Sequence, residues 1–159
     1  MSLLAWGLGL ALIAWLFTNI ERERNIPTAS TLTTAEGTRE VRLTQNRHSH
    51  YVANGEINNQ PVVFFLDTGA SMVSVPQKLA QQLGLKAGRP YLVSTANGDA
   101  RVFATRIPVL SIGPIKFTDV DGSINPNTDD DKILLGMSVL KNLEIIQRDK
   151  TLIMRQYVR

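Results

Sequence analysis

Residues 62–66, Val-Val-Phe-Phe-Leu, form a continuous apolar run that ends abruptly in Asp67-Thr68-Gly69-Ala70-Ser71 before apolar residues resume at Met72 and Val73. A carboxylate carried out of a buried strand has two uses. One is a tight turn in which Asp67 and Thr68 cap backbone groups and Gly69 supplies a positive φ. The other is acid–base chemistry on a bound molecule. Carboxylates that hydrolyse an amide work as a pair: one takes a proton from water while its neighbour, still protonated, donates to the carbonyl oxygen or the leaving amine. Two carboxyls about 3 Å apart do not both ionise, so they share a proton and titrate as one unit. Well downstream, Ile133-Leu134-Leu135-Gly136 supplies a second apolar strand that stops at a glycine.

Other chemistry-bearing residues have weaker patterns. His48 and His50 are two apart, which on a strand places both on one face, as some metal sites require. No cysteine is present and no third ligand has suitable spacing, so the expectation is a solvated strand edge and no metal. Asp129-Asp130-Asp131 lacks the alternating pattern of a calcium loop and reads as a solvated acidic loop. The net charge of +3 is mild, and no block of five basic residues occurs, so nucleic-acid binding has no support.

The elements that must position Asp67 are short. From about residue 40 onward, β-branched and aromatic runs alternate with turn residues every ten or so positions, predicting an all-β domain. Residues 50–53 and 61–66 flank Asn58-Asn59, a hairpin turn. Pro76 and Gly84 bracket one short helix. Residues 91–95 and 100–105 enclose Asn97-Gly98, a strong two-residue hairpin signal. Strands at 109–112 and 115–120 are broken by Gly113-Pro114, and a polar stretch at 121–132 reads as a loop. A second short helix is expected near 138–143, then a hairpin around Asp149-Lys150.

The 159 residues are 43% hydrophobic, but the apolar residues are unevenly spread. Residues 2–20 hold no charged side chain and include both tryptophans, Trp6 and Trp15. At about 1.5 Å per residue a helix there reaches roughly 28 Å, close to a bilayer's hydrocarbon core. The run is long and lacks a basic leader, which favours an uncleaved anchor over a signal peptide. Arg22 and Arg24 alternate with Glu21 and Glu23, so charge says little about orientation. The reading is a transmembrane anchor over 1–20, a polar flexible tether over 21–39 and a β domain over 40–159.

The order of an apolar strand, Asp67-Thr68-Gly69-Ala70, a hairpin some thirty residues later, then Leu134-Leu135-Gly136 and a helix resembles the retropepsin-like aspartic peptidases. Over residues 48–157 the chain is most similar to their bacterial membrane-anchored branch, which has counterparts of Thr95-Ala96-Asn97-Gly98 and Leu135-Gly136-Met137-Ser138. The resemblance implies a closed β-barrel-type domain with one or two short helices, preceded by a single N-terminal transmembrane helix. It also implies aspartic endopeptidase activity without a cofactor. Because the chain has one Asp-Thr-Gly, the second Asp67 of the pair is expected from a second subunit, in a twofold homodimer.

The resemblance also assigns roles. Asp67 is the catalytic residue, and Thr68 bonds across the axis, with an intrachain bond as the alternative. Gly69 lets the substrate backbone approach closely. Ala70 lacks the hydroxyl that would stabilise an ionised pair, giving an expected activity optimum of about pH 5–6 rather than about 2–3. Ser71 departs from the aspartate common in retroviral enzymes. Leu135 and Gly136 form a wall behind the catalytic loop. The hairpin Thr95, Ala96, Asn97 and Gly98 is a flap over the substrate, or else a passive surface turn. A protein or peptide substrate would lie as an added strand, with apolar subsites from residues such as Val93, Phe103 and Ile133. The implied location is the bacterial inner membrane, with the domain periplasmic. A non-catalytic dimerisation or protein-binding module on the same fold is the alternative.

Overall fold

The computed structural model describes residues 30–35, 37–95 and 98–157. Among them are eleven strands and two short helices: β1 (Ser30–Ala35), β2 (Thr38–Thr44), β3 (Val52–Ile57), β4 (Gln60–Leu66), β5 (Val73–Pro76), α1 (Gln77–Gln82), β6 (Pro90–Thr95), β7 (Gly98–Ile112), β8 (Ile115–Asn125), β9 (Lys132–Leu135), α2 (Met137–Leu140), β10 (Glu144–Arg148) and β11 (Thr151–Tyr157). The stretch read as an anchor, 1–20, lies outside the described residues. No helix among those described is long and apolar enough to cross a membrane.

Seven strands form a sheet in the order β3-β4-β9-β5-β8-β7-β6, and an additional β3–β7 pairing closes six of them into a barrel. Closure depends on a glycine. A Cβ on Gly55 would lie 2.3 Å from the Ser111 carbonyl oxygen of β7, so any larger residue would hold the two strands apart. Ile57, Phe64, Ile107, Leu110, Ile115, Ile133 and Leu135 fill the interior and are fully buried. The burial of Ile133 corrects its assignment as a substrate subsite: its side chain belongs to the core. β7 is long enough to serve three partners, pairing with β6 through residues 98–103, with β8 through 103–112 and with β3 at 110–111.

The turn chemistry follows the sequence closely. Asn58 and Asn59 have φ of 52° and 62°, the two left-handed residues of a tight hairpin. α1 follows Pro76 and ends before Gly84, whose φ is +70°. Two expectations need correction. The stretch at 121–132 is not loop throughout, because β8 runs on to Asn125. It lies between β7 and the parallel β5, where backbone pairing on both sides takes in Gly122 and Ser123 despite their polarity. α2 begins at Met137, a residue earlier than expected, and ends at Leu140.

The remaining strands form a second sheet, β1-β2-β11-β10. β1 and the start of β2 lie within the stretch read as tether, and there β1 pairs antiparallel with β2. Its threonines suit a strand by their branching at Cβ even where no apolar alternation announces one. Val41, Leu43, Leu152 and Met154 from β2 and β11 join the core cluster of the barrel.

On the opposite face, Glu40, Arg155 and Glu144 stand in cross-strand register on β2, β11 and β10. Arg155 Nη2 lies 2.8 Å from Glu40 Oε2 and its Nη1 2.8 Å from Glu144 Oε2. Glu40 also accepts from Arg42 Nε at 2.9 Å, and Glu144 from the Tyr157 hydroxyl at 2.7 Å. Arg42 first and Arg155 second hold the Glu40 carboxyl below its usual range, while the Tyr157 hydroxyl followed by Arg155 does so for Glu144. A carboxyl lowered by folding contributes stability that is complete above its unfolded value of 4.5 and is lost as the pH falls through the folded one. We therefore expect a melting temperature that is flat from about pH 5 to 7 and falls below about pH 4.5. Glu40→Gln should lower the plateau and make that fall shallower, as read by thermal denaturation across pH.

Candidate active site

β9 lies between β4 and β5, parallel to β4 and antiparallel to β5. The chain leaving β4 must therefore cross the end of β9 before it returns as β5, and the crossing is the segment 67–72. The parallel ladder reaches one residue beyond β4, with the Asp67 amide donating to the Leu135 carbonyl at 3.2 Å. Asp67 is half-buried. Its Oδ1 accepts from the Gly69 amide at 2.8 Å and its carbonyl from the Ala70 amide at 3.3 Å. These bonds set the carboxylate at the top of a tight turn. Of the turn reading, the Asp67 cap is present, but Gly69 does not take the positive φ expected of it: the Asp67 side chain holds the turn without a left-handed residue there. The second carboxylate oxygen has no partner among the described residues.

The segment after β9 clamps the crossing from below. Met137 donates its amide to the Ala70 carbonyl at 2.8 Å, and Ser138 donates to Ser71 at 3.0 Å. The Ser138 hydroxyl accepts from the Val73 amide at 3.1 Å. Gly136 is buried so closely that a Cβ would lie 2.2 Å from the Met72 carbonyl oxygen and 2.6 Å from that of Ala70. Leu135 is fully buried beneath the loop. Leu135 and Gly136 thus lie directly against the loop. The bond from Ser138 to Val73 was not foreseen, because nothing in local sequence tells which of two distant segments will offer an unpaired amide.

Thr68 is exposed, and its hydroxyl makes no hydrogen bond among the described residues, so the intrachain alternative is not realised. Gly69 and Ser71 are also exposed on the loop, while Ala70 is half-buried. Beside them opens a cleft of about 340 Å3, lined by 68–72 together with Met137, Ser138, Lys141 and Asp121. Met72 and Met137 are 37% and 38% exposed and give the cleft apolar surface. Asp121 is held by Arg106, which also pairs with Asp119 at 2.7 Å. That guanidinium keeps the Asp119 carboxyl below its usual range.

The hairpin expected as a flap is paired in its described part. Thr95 pairs with Gly98, whose φ is +102°, and the Thr95 hydroxyl donates to the Gly98 carbonyl at 2.7 Å. Ala96 and Asn97, expected at the tip, lie outside the described residues. The base of the hairpin reaches the loop, for the Tyr91 hydroxyl lies 3.5 Å from Met72 Sδ. Val93 and Phe103 are half-buried on the two hairpin strands.

His48 and His50 precede β3 in a turn, where both amides donate to Asn46 Oδ1, at 2.9 and 3.0 Å. The same-face premise of a strand does not apply to them. The His50 ring packs 4.7 Å from that of Phe65, two residues before Asp67. In the acidic stretch, Asp130 Oδ1 accepts from the Lys132 amide at 3.2 Å, a local turn contact. Among the described residues no group of three or more His, Cys, Asp or Glu side chains gathers where a metal ion could sit.

The clamp makes two substitutions informative. Gly136→Ala forces a methyl into two carbonyl oxygens and should cost about 3 kcal/mol or more in urea denaturation, since neither backbone can withdraw without moving the loop. Ser138→Ala leaves the Val73 amide unpaired and should cost about 1–3 kcal/mol.

Comparison with known proteins agrees with this geometry. Residues 53–142, more than half the chain, match the family described as "gag-polyprotein putative aspartyl protease". The crystal structure of a retropepsin-like aspartic protease from Rickettsia conorii superposes with a TM-score of 0.64 at 31% identity, covering 76% of this chain and 93% of that one. An uncharacterized protein from the cobV 5' region of Sinorhizobium sp is 31% identical over 122 residues, and one from Rickettsia prowazekii (strain Madrid E) is 32% identical over 123. These alignments cover 75% and 74% of this chain and 52% of each relative, so the chain spans about half the length of the curated proteins it matches. With its closed all-β barrel and an Asp-Thr-Gly turn clamped by Leu135 and Gly136, the chain belongs to the retropepsin-like aspartic peptidases.

Proposed function

We propose that the chain is an aspartic endopeptidase whose working pair is the Asp67 of two copies, related by a twofold axis. The observation that carries this reading is the state of the Asp67 loop. One carboxylate oxygen is spent on the Gly69 amide and the other is unpartnered, while the hydroxyl of Thr68 beside it is exposed without a partner among the described residues. Asp121, the carboxylate lining the adjoining cleft, is engaged by Arg106. A second copy would supply the missing carboxyl and a partner for Thr68.

The reaction then runs on one shared proton. The ionised Asp67 takes a proton from a water held between the two carboxyls, and the water oxygen attacks the scissile carbonyl carbon. The protonated Asp67 of the other copy gives its proton to the carbonyl oxygen, leaving a neutral tetrahedral diol. Collapse breaks the C–N bond as the newly protonated carboxyl gives its proton to the departing amine. One diol hydroxyl, becoming the new carbonyl, returns its proton to the other carboxylate, which restores the singly protonated pair. The hairpin of β6 and β7 closes over the extended substrate and excludes water. The charge-free run at 2–20 supports a single-pass anchor, and an inner membrane with the domain periplasmic is the location that the family resemblance implies. An alkaline phosphatase fused to the C-terminus should be active in that orientation and inactive in the reverse one.

The chain, incubated with a diverse peptide pool, should cleave with a rate that rises faster than linearly with protein concentration and peaks at about pH 5–6. Asp67→Asn should reduce cleavage by about 1000-fold or more. Equal cleavage by both proteins would remove Asp67 from the mechanism. Absence of cleavage by either across about pH 4–7 would favour a non-catalytic binding module.

A further inference from the structure

One end of the small sheet gathers positive charge. β1 and β11 begin there and β2 and β10 end there, since Ser30 stands opposite Arg42, and Thr44, Thr151 and Arg148 lie in cross-strand register. Two turns close this end, residues 45–50 and Asp149-Lys150. They are fastened together, because the Gln45 amide donates to the Lys150 carbonyl at 2.8 Å. The first turn is itself held: Asn46 Oδ1 accepts from the amides of His48 and His50, and Gln45 Nε2 donates to the Ser49 carbonyl at 2.9 Å. A fixed backbone therefore presents Arg47, Arg148 and Lys150 at one end of the sheet.

All three are exposed, and none pairs with a carboxylate among the described residues. Asp149 is the one acidic residue in the two turns. Arg42, beside them, is engaged by Glu40. At the far end of β3 the turn Asn58-Asn59 carries no charge. Like charges held within a Debye length of about 10 Å repel one another, and an anionic surface turns that repulsion into attachment.

The chain ahead of Ser30 indicates which surface. Residues 21–29 separate Ser30 from the charge-free run at 2–20. Such a link spans at most about 32 Å when fully extended. An anchor in that run keeps the Ser30 end of the sheet within that reach of the bilayer, whichever way the rest of the domain turns. We propose that this end rests on the bilayer, with Arg47, Arg148 and Lys150 against the phosphates of anionic lipids. This docking rests on the single-pass anchor proposed above and is independent of the chemistry at Asp67. It supplies an orientation, which a tether alone does not. Each basic residue near an anionic leaflet strengthens attachment about fivefold, so three of them opposed by Asp149 favour the docked orientation by about thirtyfold. The domain is thus held reversibly.

The absence of cysteine permits site-specific labelling of the full 159-residue chain. His48→Cys lies at the docking end, and Gln60→Cys at the far end of the β3–β4 hairpin. Each is reconstituted into phosphatidylcholine vesicles with or without phosphatidylglycerol and labelled from outside with an impermeant fluorophore. Quenching is then read from a lipid spin-labelled at its headgroup. At position 48 it should rise about threefold or more with phosphatidylglycerol and fall back in about 0.5 M salt. Position 60 should show no such rise. Arg47→Glu should lower the rise, and adding Arg148→Glu and Lys150→Glu should abolish it, with an unchanged melting temperature confirming the fold. Quenching at position 48 indifferent to phosphatidylglycerol, an equal rise at position 60, or a rise that survives the three reversals in a folded chain would overturn the docking. Salt-sensitive binding of polyglutamate without any lipid effect would also overturn it and assign this end to an acidic protein. Failure of the anchor reads differently, as release of the chain from the vesicles by alkaline carbonate. Salt-sensitive flotation of the released chain with phosphatidylglycerol vesicles at neutral pH, lost on the three reversals, would keep the docking, and its absence would overturn both.

Discussion

The seating of Gly136 beneath the carbonyls of Ala70 and Met72 is the contact on which the rest of the site depends. With no Cβ in the way, the backbone after β9 comes close enough for Met137 and Ser138 to donate to Ala70 and Ser71, and for the Ser138 hydroxyl to receive the Val73 amide. A loop that would otherwise keep the mobility of any exposed turn is thus bonded at Asp67 to Leu135 of β9 and at Ala70, Ser71 and Val73 to the two residues that follow Gly136. Acid–base chemistry by a carboxyl pair requires that kind of rigidity, because proton transfer demands hydrogen-bond distances that a wandering side chain does not hold.

Barrel closure and site construction are linked through β9. Its insertion between β4 and β5 forces the crossing segment over its end, and its apolar residues Ile133 and Leu135 anchor the crossing in the core. The site is therefore not grafted onto a finished barrel but made by the strand order that completes it. The small second sheet is tied to the barrel by Val41, Leu43, Leu152 and Met154, and stiffened across its outer face by the Glu40, Arg155 and Glu144 ladder. That ladder ends at β10, the last strand of the sheet among the described residues.

Much of this was legible in sequence because it is local. The left-handed turn at Asn58-Asn59, the bounds of α1 between Pro76 and Gly84, and the Asp67 turn all follow from what single residues allow their own backbone. The strand at Ser30–Ala35 was missed because threonine-rich polar sequence has strand propensity but no apolar alternation to mark a buried face. The continuation of β8 to Asn125 was missed because Gly122 and Ser123 are buried by their neighbours on both sides rather than by their own hydrophobicity. Ile133 was misread as a subsite residue for the converse reason, since an apolar side chain looks the same in sequence whether it faces a substrate or the core.

By itself the sequence determined the all-β class and the turn that carries Asp67, while the pairing of that turn with a distant apolar-apolar-glycine segment was implied by the family resemblance. Those features depend on backbone conformational limits and on residue types whose use is narrow. Only the tertiary structure decided that β9 threads between β4 and β5, that Ser138 answers the Val73 amide, and that Ile133 points inward. Each of these is a choice among partners far apart in the chain, made by which packing buries the most apolar surface while leaving the fewest polar groups unpaired, and that balance is struck only once every strand is in place.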